Sequence, residues 1–307
     1  MDVTASPGQS AIFIIFGLPD RQKAREPVKA LCGKLPALAR SLKNRFPKLG
    51  ISAVMGFGAE AWQGLFPGRP TPKELTPFQE IRGERHVAVS TPGDLFFHLR
   101  GGRMDVLVEL ASQISADLAE VVEPIDETHG FRYMDSRAII GFVDGTENPE
   151  PEAAQAAAVI GSEDPQFVGG SYAMTQKYLH DLAAWNELPV EEQEKAIGRR
   201  KYDDRELEEG VKPENAHNAV TNISDPDGRE LKIVRANVAF ANPAKGEHGT
   251  YFIGYAATFS TTKRMLENMF VGDPPGNTDR LLDFSRAISG TLFFVPSWDL
   301  LAELAEE

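Results

Sequence analysis

Two stretches far apart in the chain carry the same pattern, and that repetition constrains the fold more than any other feature. Asp94-Leu-Phe-Phe-His-Leu-Arg100 and Gly249-Thr-Tyr-Phe-Ile-Gly-Tyr255 are both rich in aromatic and branched residues, and each is followed by apolar residues at helical spacing. The segments that follow are Met104 to Leu118 and Thr261 to Phe270, the second with Thr261 or Thr262 as its expected cap. The letters differ, so the likeness is one of pattern and suggests an internal duplication.

The flanking segments extend it. Ser10 to Leu18 is an apolar run interrupted at Gly17 and Pro19, as a buried strand would be. Glu26 to Phe46 spaces Val28, Leu31, Leu35, Leu38 and Leu42 by three or four, which predicts a helix that Pro36 kinks or splits. Ile51 to Phe57 reads as a strand and Pro67 to Pro77 as a loop. His86 to Ser90 and Asp94 to Arg100 are expected to form a hairpin around Pro92-Gly93, and a last strand begins at Val121 to Glu123. Strand, helix, strand, strand, helix, strand is the ferredoxin-like order, an antiparallel sheet with helices on one face.

After residue 139 the order recurs. Ile139 to Val143 and Ser171 to Met174 look extended, Val190 to Ile197 looks helical, Leu231 to Phe240 and Thr250 to Thr258 look like strands, and Leu292 to Val295 closes the set. The expected fold is therefore α+β, with two ferredoxin-like modules at 1–135 and 136–307, and Pro149 to Val159 as a linker or capping excursion between the halves.

Charge and cysteine content exclude several classes. A net charge of −13, with its tightest basic group (Arg199-Arg200-Lys201) beside the acidic run Asp203 to Glu209, argues against a nucleic-acid surface. A lone Cys32 among apolar neighbours rules out an internal disulfide framework or a thiolate zinc cluster and reads as a buried thiol. No apolar run approaches the length of a membrane span, and the first residues lack the basic stretch of a secretory signal, so no membrane role and a cytoplasmic location are expected.

Three segments could carry chemistry. In Gly141-Phe-Val-Asp-Gly-Thr-Glu-Asn-Pro149 an apolar run delivers Asp144 into Gly145, which reads equally as a strand ending in an Asx-type turn. His217 lies in Ala216-His-Asn-Ala-Val-Thr221, between an acidic loop and a strand; the other histidines show no paired ligand spacing for zinc. In Leu231-Lys-Ile-Val-Arg-Ala-Asn-Val-Ala-Phe240 strand alternation puts Ile233, Arg235 and Asn237 on one face, which either meets solvent or lines a polar pocket.

Taken together and in this order, the Gly-x-x-Asp-Gly element at Asp144, the downstream His217 and the Arg-x-Asn strand at Arg235 resemble the dye-decolorising peroxidase family, its B-type bacterial branch best. The likeness runs through Tyr255 to Leu292-Phe-Phe-Val-Pro296, and covers the carboxyl half in motif and the amino half in layout. The resemblance implies a peroxidase with one haem b in the second module. His217 would be the axial iron ligand, and Asp144, Arg235 and Asn237 would be the catalytic residues of the distal pocket. Gly145, Thr146, Glu147 and Phe252 would line the haem, Arg199 would approach a propionate, and Asp279 would hydrogen-bond the axial histidine, with Asp283 as the alternative. The implied partners are hydrogen peroxide, an organic reductant and, as is common in the family, further copies of the chain.

These residue types suit that chemistry. A carboxylate partner gives the ligating imidazole imidazolate character and favours higher oxidation states of iron. Asp144 would move the peroxide proton from the inner to the outer oxygen, and Arg235 would stabilise the charge that develops, a contribution on the order of 2–4 kcal/mol. Beside Arg235, Asp144 is expected to have a lowered pKa, which suggests an acidic optimum. Bulky reductants would deliver electrons from the surface, with Trp185, Tyr255 and Trp298 as conceivable relays, though each is more readily a packing residue. The competing readings are a haem carrier or storage protein and an iron-releasing, deferrochelatase-like protein. The sequence ends soon after the last strand, which favours a free protein over one tailed for an encapsulin shell.

Overall fold

Alternation of apolar side chains commits eight segments to strands, and the computed structural model, which describes residues 2–306, joins them into one closed antiparallel barrel. The first four are β1 (Ser10–Gly17), β2 (Ser52–Phe57), β3 (Leu95–Gly101) and β4 (Glu123–Phe131). The last four are β5 (Ser171–His180), β6 (Val234–Asn242), β7 (Glu247–Ala256) and β8 (Ser285–Val295). Each set has the spatial order fourth, first, third, second, so both are ferredoxin-like sheets. They meet at two short seams, Phe57 opposite Phe294 and Phe131 opposite Ala239. Closure removes the exposed edges that two separate sheets would carry.

The period of two sorts side chains between two cores. Phe13, Ile15, Val54, Phe96, Ala236, Tyr251, Ile253, Tyr255, Phe293 and Val295 fill the barrel. Their strand neighbours Ile12, Ile14, Phe16, Met55, Phe57, Phe97 and Leu99 point outward under α1 (Arg21–Arg45) and α2 (Met104–Leu118). There they meet Val28, Leu31, Cys32 and Leu35 of α1 and Leu107, Leu110 and Ile114 of α2. Burial in this apolar layer pushes the Cys32 thiol up to about 12, so it is not a nucleophile at neutral pH.

Several local expectations change. The first helix starts at Arg21, where the Asp20 carboxylate accepts from the Gln22 and Lys23 amides, and it runs unbroken through Pro36. No hairpin forms at Pro92-Gly93: Val87–Ala88 pairs with Ile81–Arg82, while β3 sits between β1 and β2. The expected linker contains a helix, Pro151–Ala158, with proline in its first turn.

In the second half α3 (Val190–Ile197) and α4 (His217–Thr221) belong to the long crossover from β5 to β6, α5 (Phe259–Phe270) follows β7, and α6 (Trp298–Glu306) packs on α1. Thr258, not Thr261 or Thr262, is the cap of α5, and its hydroxyl lies 2.9 Å from that of Thr261. Among the described residues no helix is long and apolar enough to cross a membrane.

Candidate active site

Strand alternation decides which residues of β6 leave the barrel. Ala236 packs inside with Val234 and Val238 against it, so Arg235 and Asn237 point outward, as the sequence pattern requires. Asn237 is paired across the ladder with Phe252 of β7, whose ring faces the same way. On β5 the same face carries Gln176, Tyr178 and His180.

The segment Ile139–Val143 is apolar because it packs, not because it is a strand. Ile139, Ile140 and Phe142 cluster with Trp185, whose indole N–H donates to the Ile140 carbonyl over 3.0 Å. The backbone there is a chain of tight turns, with Gly141 at φ 95° and Gly145 at φ 89°. This loop is clamped to β6 at two points. The Asn148 side chain accepts from the Arg235 amide and donates to the Arg235 carbonyl, both over 2.8 Å. The Asp144 carboxylate accepts from the Asn237 side-chain amide at 2.8 Å and from its backbone amide at 3.2 Å.

His217 opens the short helix α4. Its Nδ1 lies 2.6 Å from Oδ2 of Asp279, a carboxylate with no exposed surface whose other oxygen accepts from the Leu281 amide at 2.9 Å. Asp279, and not Asp283, therefore reaches the imidazole; Asp283 is engaged by Arg85 over 2.5 Å. The next residue, Asn218, is held beneath Gly198, where a Cβ would fall 1.8 Å from the Asn218 Oδ1, so only glycine fits.

Most of the site's functional groups converge on one cavity of about 1150 Å³, counting its open mouth. Asp144, Gly145, Thr146, Glu147, Arg199, His217, Arg235, Asn237 and Phe252 line it, while Asp279 stands behind His217. Met265, Leu266, Met269, Leu281 and Leu282 supply apolar wall. Arg199 is tied to Glu147 and donates to the Asp204 carbonyl at 2.7 Å, and the Thr146 hydroxyl donates to the Asp204 carboxylate at 2.6 Å. The half-buried guanidinium of Arg235 donates no hydrogen bond among the described residues.

The electrostatics overturn one expectation. Burial raises the pKa of Asp144, and this outweighs the hydrogen bonds from Asn237 and the nearby charge of Arg235, both of which lower it. Asp144 is thus a better proton acceptor than an ordinary aspartate. His180 is pushed down to about 4 by burial and stays neutral, its two ring nitrogens hydrogen-bonded to the Ser285 and Thr250 hydroxyls at 2.8 and 2.7 Å.

Sequence reasoning missed Asn148 and the polar face of β5. The signal for the second was present: continuing the strand at Ser171 past Met174 puts Gln176, Tyr178 and His180 in register with one another.

Residues 135–300 match the family model described as Dyp-type peroxidase, C-terminal, and residues 2–132 match its N-terminal counterpart. The chain belongs to the Dyp-type peroxidase family. It is 52% identical over 292 residues to a dye-decolorizing peroxidase of Mycobacterium tuberculosis, covering 95% of this chain and 86% of that one. The crystal structure of a dye-decolorizing peroxidase from Bacteroides thetaiotaomicron superposes with a TM-score of 0.96 at 60% identity, covering 99% of this chain and 97% of that one. A variant of DypB from Rhodococcus jostii, solved in complex with heme, has a TM-score of 0.94 at 44% identity, covering 97% of this chain and 96% of that one.

Proposed function

We propose that this chain is a haem peroxidase that reduces hydrogen peroxide and oxidises dyes or other bulky organic reductants. Residues 1–135 and 136–307 would be its two modules and the cytoplasm its compartment, a location that a buried thiol in place of disulfides supports. The observation that carries the reading is the guanidinium of Arg235, unbonded among the described residues, beside the Asp144 carboxyl in the cavity that also receives His217.

The donor set fits haem b. With Nδ1 of His217 engaged by Asp279, the imidazole has only Nε2 to offer a metal, and carboxylate-held imidazoles are the usual ligands of such iron. Among the described residues no three His, Cys, Asp or Glu side chains are grouped to hold a bare ion, so a single-imidazole iron centre suits this chain better than a protein-only site. The apolar walls and the charged side chains of Arg199 and Arg235 suit a flat macrocycle with carboxylate arms.

When bound, haem supplies the iron that binds peroxide and takes up the oxidising equivalents of its O–O bond. Every other task falls to side chains. Asp279 fixes the His217 ring and keeps it electron-rich. Asn237 holds both Asp144 oxygens in place, so that the carboxylate takes the proton of one peroxide oxygen and returns it to the other. Arg235 meets the charge that develops, Phe252 and the apolar wall exclude water, and the clamp of Asn148 keeps the loop against β6.

A carrier or iron-releasing protein has no use for a poised acid beside an unpaired guanidinium. The test is to load the protein with haem and mix it with peroxide. A rapid spectral change that slows in Asp144→Ala and Arg235→Ala is expected; a spectrum unmoved by peroxide would favour the carrier.

A further inference from the structure

Behind the cavity lies a second, outer cleft of about 1250 Å³, counting its open mouth. Leu282, His180 and Ser285 line both spaces, so one layer of side chains divides them. A leucine is what such a wall needs. The other two are polar, and they are joined to each other. The Ser285 hydroxyl lies 2.8 Å from Nδ1 of His180, and Nε2 of the same ring lies 2.7 Å from the hydroxyl of Thr250, a residue of the cavity wall. Neither hydroxyl has another partner among the described residues. A neutral imidazole accepts at one nitrogen and donates at the other, so the three groups order head to tail. In one sense the Ser285 hydroxyl donates to Nδ1, Nε2–H donates to Thr250, and the Thr250 proton is left for an acceptor in the cavity. Burial keeps the ring neutral, with its pKa pushed down to about 4, so it passes a proton on and does not store it. On the outer side the cleft carries Asp181 and Asp283 together with Arg85 and Arg286, a rim of mixed charge that holds water.

We propose that Ser285, His180 and Thr250 form a relay that brings protons from the outer cleft into the cavity during peroxide reduction. The proposal rests on the haem-peroxidase reading and adds residues to that reaction. Turning one hydrogen peroxide into two waters consumes two electrons and two protons. Asp144 only moves a proton between the two peroxide oxygens, so both protons of the net reaction come from outside. A bulky reductant oxidised at the surface releases its own protons there, and its electrons travel inward without them. In each passage a proton from water in the cleft joins the Ser285 oxygen as the Ser285 proton moves to Nδ1. The Nε2 proton moves to the Thr250 oxygen, and the Thr250 proton goes to water forming in the cavity. Only O–H and N–H bonds are made and broken. Reorientation of the ring and of both hydroxyls, which breaks and remakes the two hydrogen bonds, resets the chain for the second proton.

The test uses haem-loaded protein with saturating peroxide and an organic dye, in light and heavy water. His180→Gln keeps one donor and one acceptor for the two hydroxyls but passes no proton between them. Its kcat is expected to fall about 10²-fold with a larger solvent isotope effect, while KM for the dye and the single-turnover rate with peroxide stay as in the parent. Ser285→Ala and Thr250→Val, which each remove one hydroxyl from opposite ends, should show the same two changes in smaller measure. Apart from turnover, nitrogen NMR of the diamagnetic, carbon-monoxide-bound ferrous protein should show a neutral His180 ring. Its Nδ1 signal should move in Ser285→Ala and its Nε2 signal in Thr250→Val. Unchanged kcat and isotope effect in His180→Gln would overturn the proposal, the result if protons enter by the cleft at the barrel seam that Asp144 also lines. A fall in kcat without a larger isotope effect, or one matched by lost haem, would overturn it too, since it would make His180 a packing residue. A parent that takes up no haem or ignores peroxide defeats the peroxidase reading itself, whereas an active parent with indifferent variants defeats the relay alone.

Discussion

The two sheets share one topology, yet the first is sealed by its helices and the second stands over a cavity. In the first, the outward positions of β1, β2 and β3 in the layer under the helices are apolar: Ile12, Ile14 and Phe16, then Ala53, Met55 and Phe57, then Leu95, Phe97 and Leu99. Two long helices press on them with Val28, Leu31 and Leu35 of α1 and Leu107, Leu110 and Ile114 of α2. In the second, the matching face of β5 carries Gln176, Tyr178 and His180, and that of β6 carries Arg235 and Asn237. Opposite them the crossover is built from short helices, so the sheet is roofed at a distance. The same strand order makes a core or a site according to what the outward residues are, and a buried polar face is kept because something is to bind there.

If the halves are divided in this way, substitutions should separate stability from chemistry. The largest effect is expected from Arg235→Leu, which removes the unpaired guanidinium: the rate with peroxide should fall by about 10²–10³, the usual loss for one preorganised donor, with the melting temperature nearly unchanged. Its counterpart in the sealed half is Leu110→Ala, on the fully buried face of α2. It should cost about 2–5 kcal/mol of stability in denaturant titration, while the folded fraction keeps its haem and its rate. A large loss of rate in Leu110→Ala would break the comparison.

Much of this contrast was legible in the sequence. Alternation along Leu231 to Phe240 places Arg235 and Asn237 on one face, and periodicity gives Met104–Leu118 and Val190–Ile197 with the bounds observed. Three things were not legible, each for a physical reason. Barrel closure depends on edge pairs such as Phe57 with Phe294, which no local pattern encodes. The run Ile139–Val143 imitates a strand because its apolar residues pack under Trp185 in a turn. The shift of Asp144 was expected in the wrong direction because a neighbouring arginine is visible in sequence and the depth of burial is not.

Smaller effects sharpen the account within the second half. Asp279→Asn should lower haem affinity or turnover by about 10–100-fold, as loss of a partner to a metal-bound histidine does, whereas Asp283→Asn should leave both alone, since that carboxylate does not reach His217. The smallest expected change is in pH dependence. The Asp144 pKa is raised by burial, so the fraction able to accept a proton grows as pH rises through that value, and the rate with peroxide should climb over a range above the ordinary carboxylate pKa. Asn237→Ala removes the side-chain hydrogen bond, one of the contacts that lower this pKa, so the inflection should move further up; a move down, in stopped-flow profiles of parent and variant, would contradict the assignment of Asp144 as the acceptor.

The most direct measurement is the absorption and EPR spectrum of the haem-reconstituted protein beside that of His217→Ala. Iron bound through one imidazole should give a Soret band and high-spin ferric signal that change in the variant, with imidazole added from solution restoring them in part. A spectrum identical in parent and variant would mean that the iron is held elsewhere, and the site described here would have no part in it.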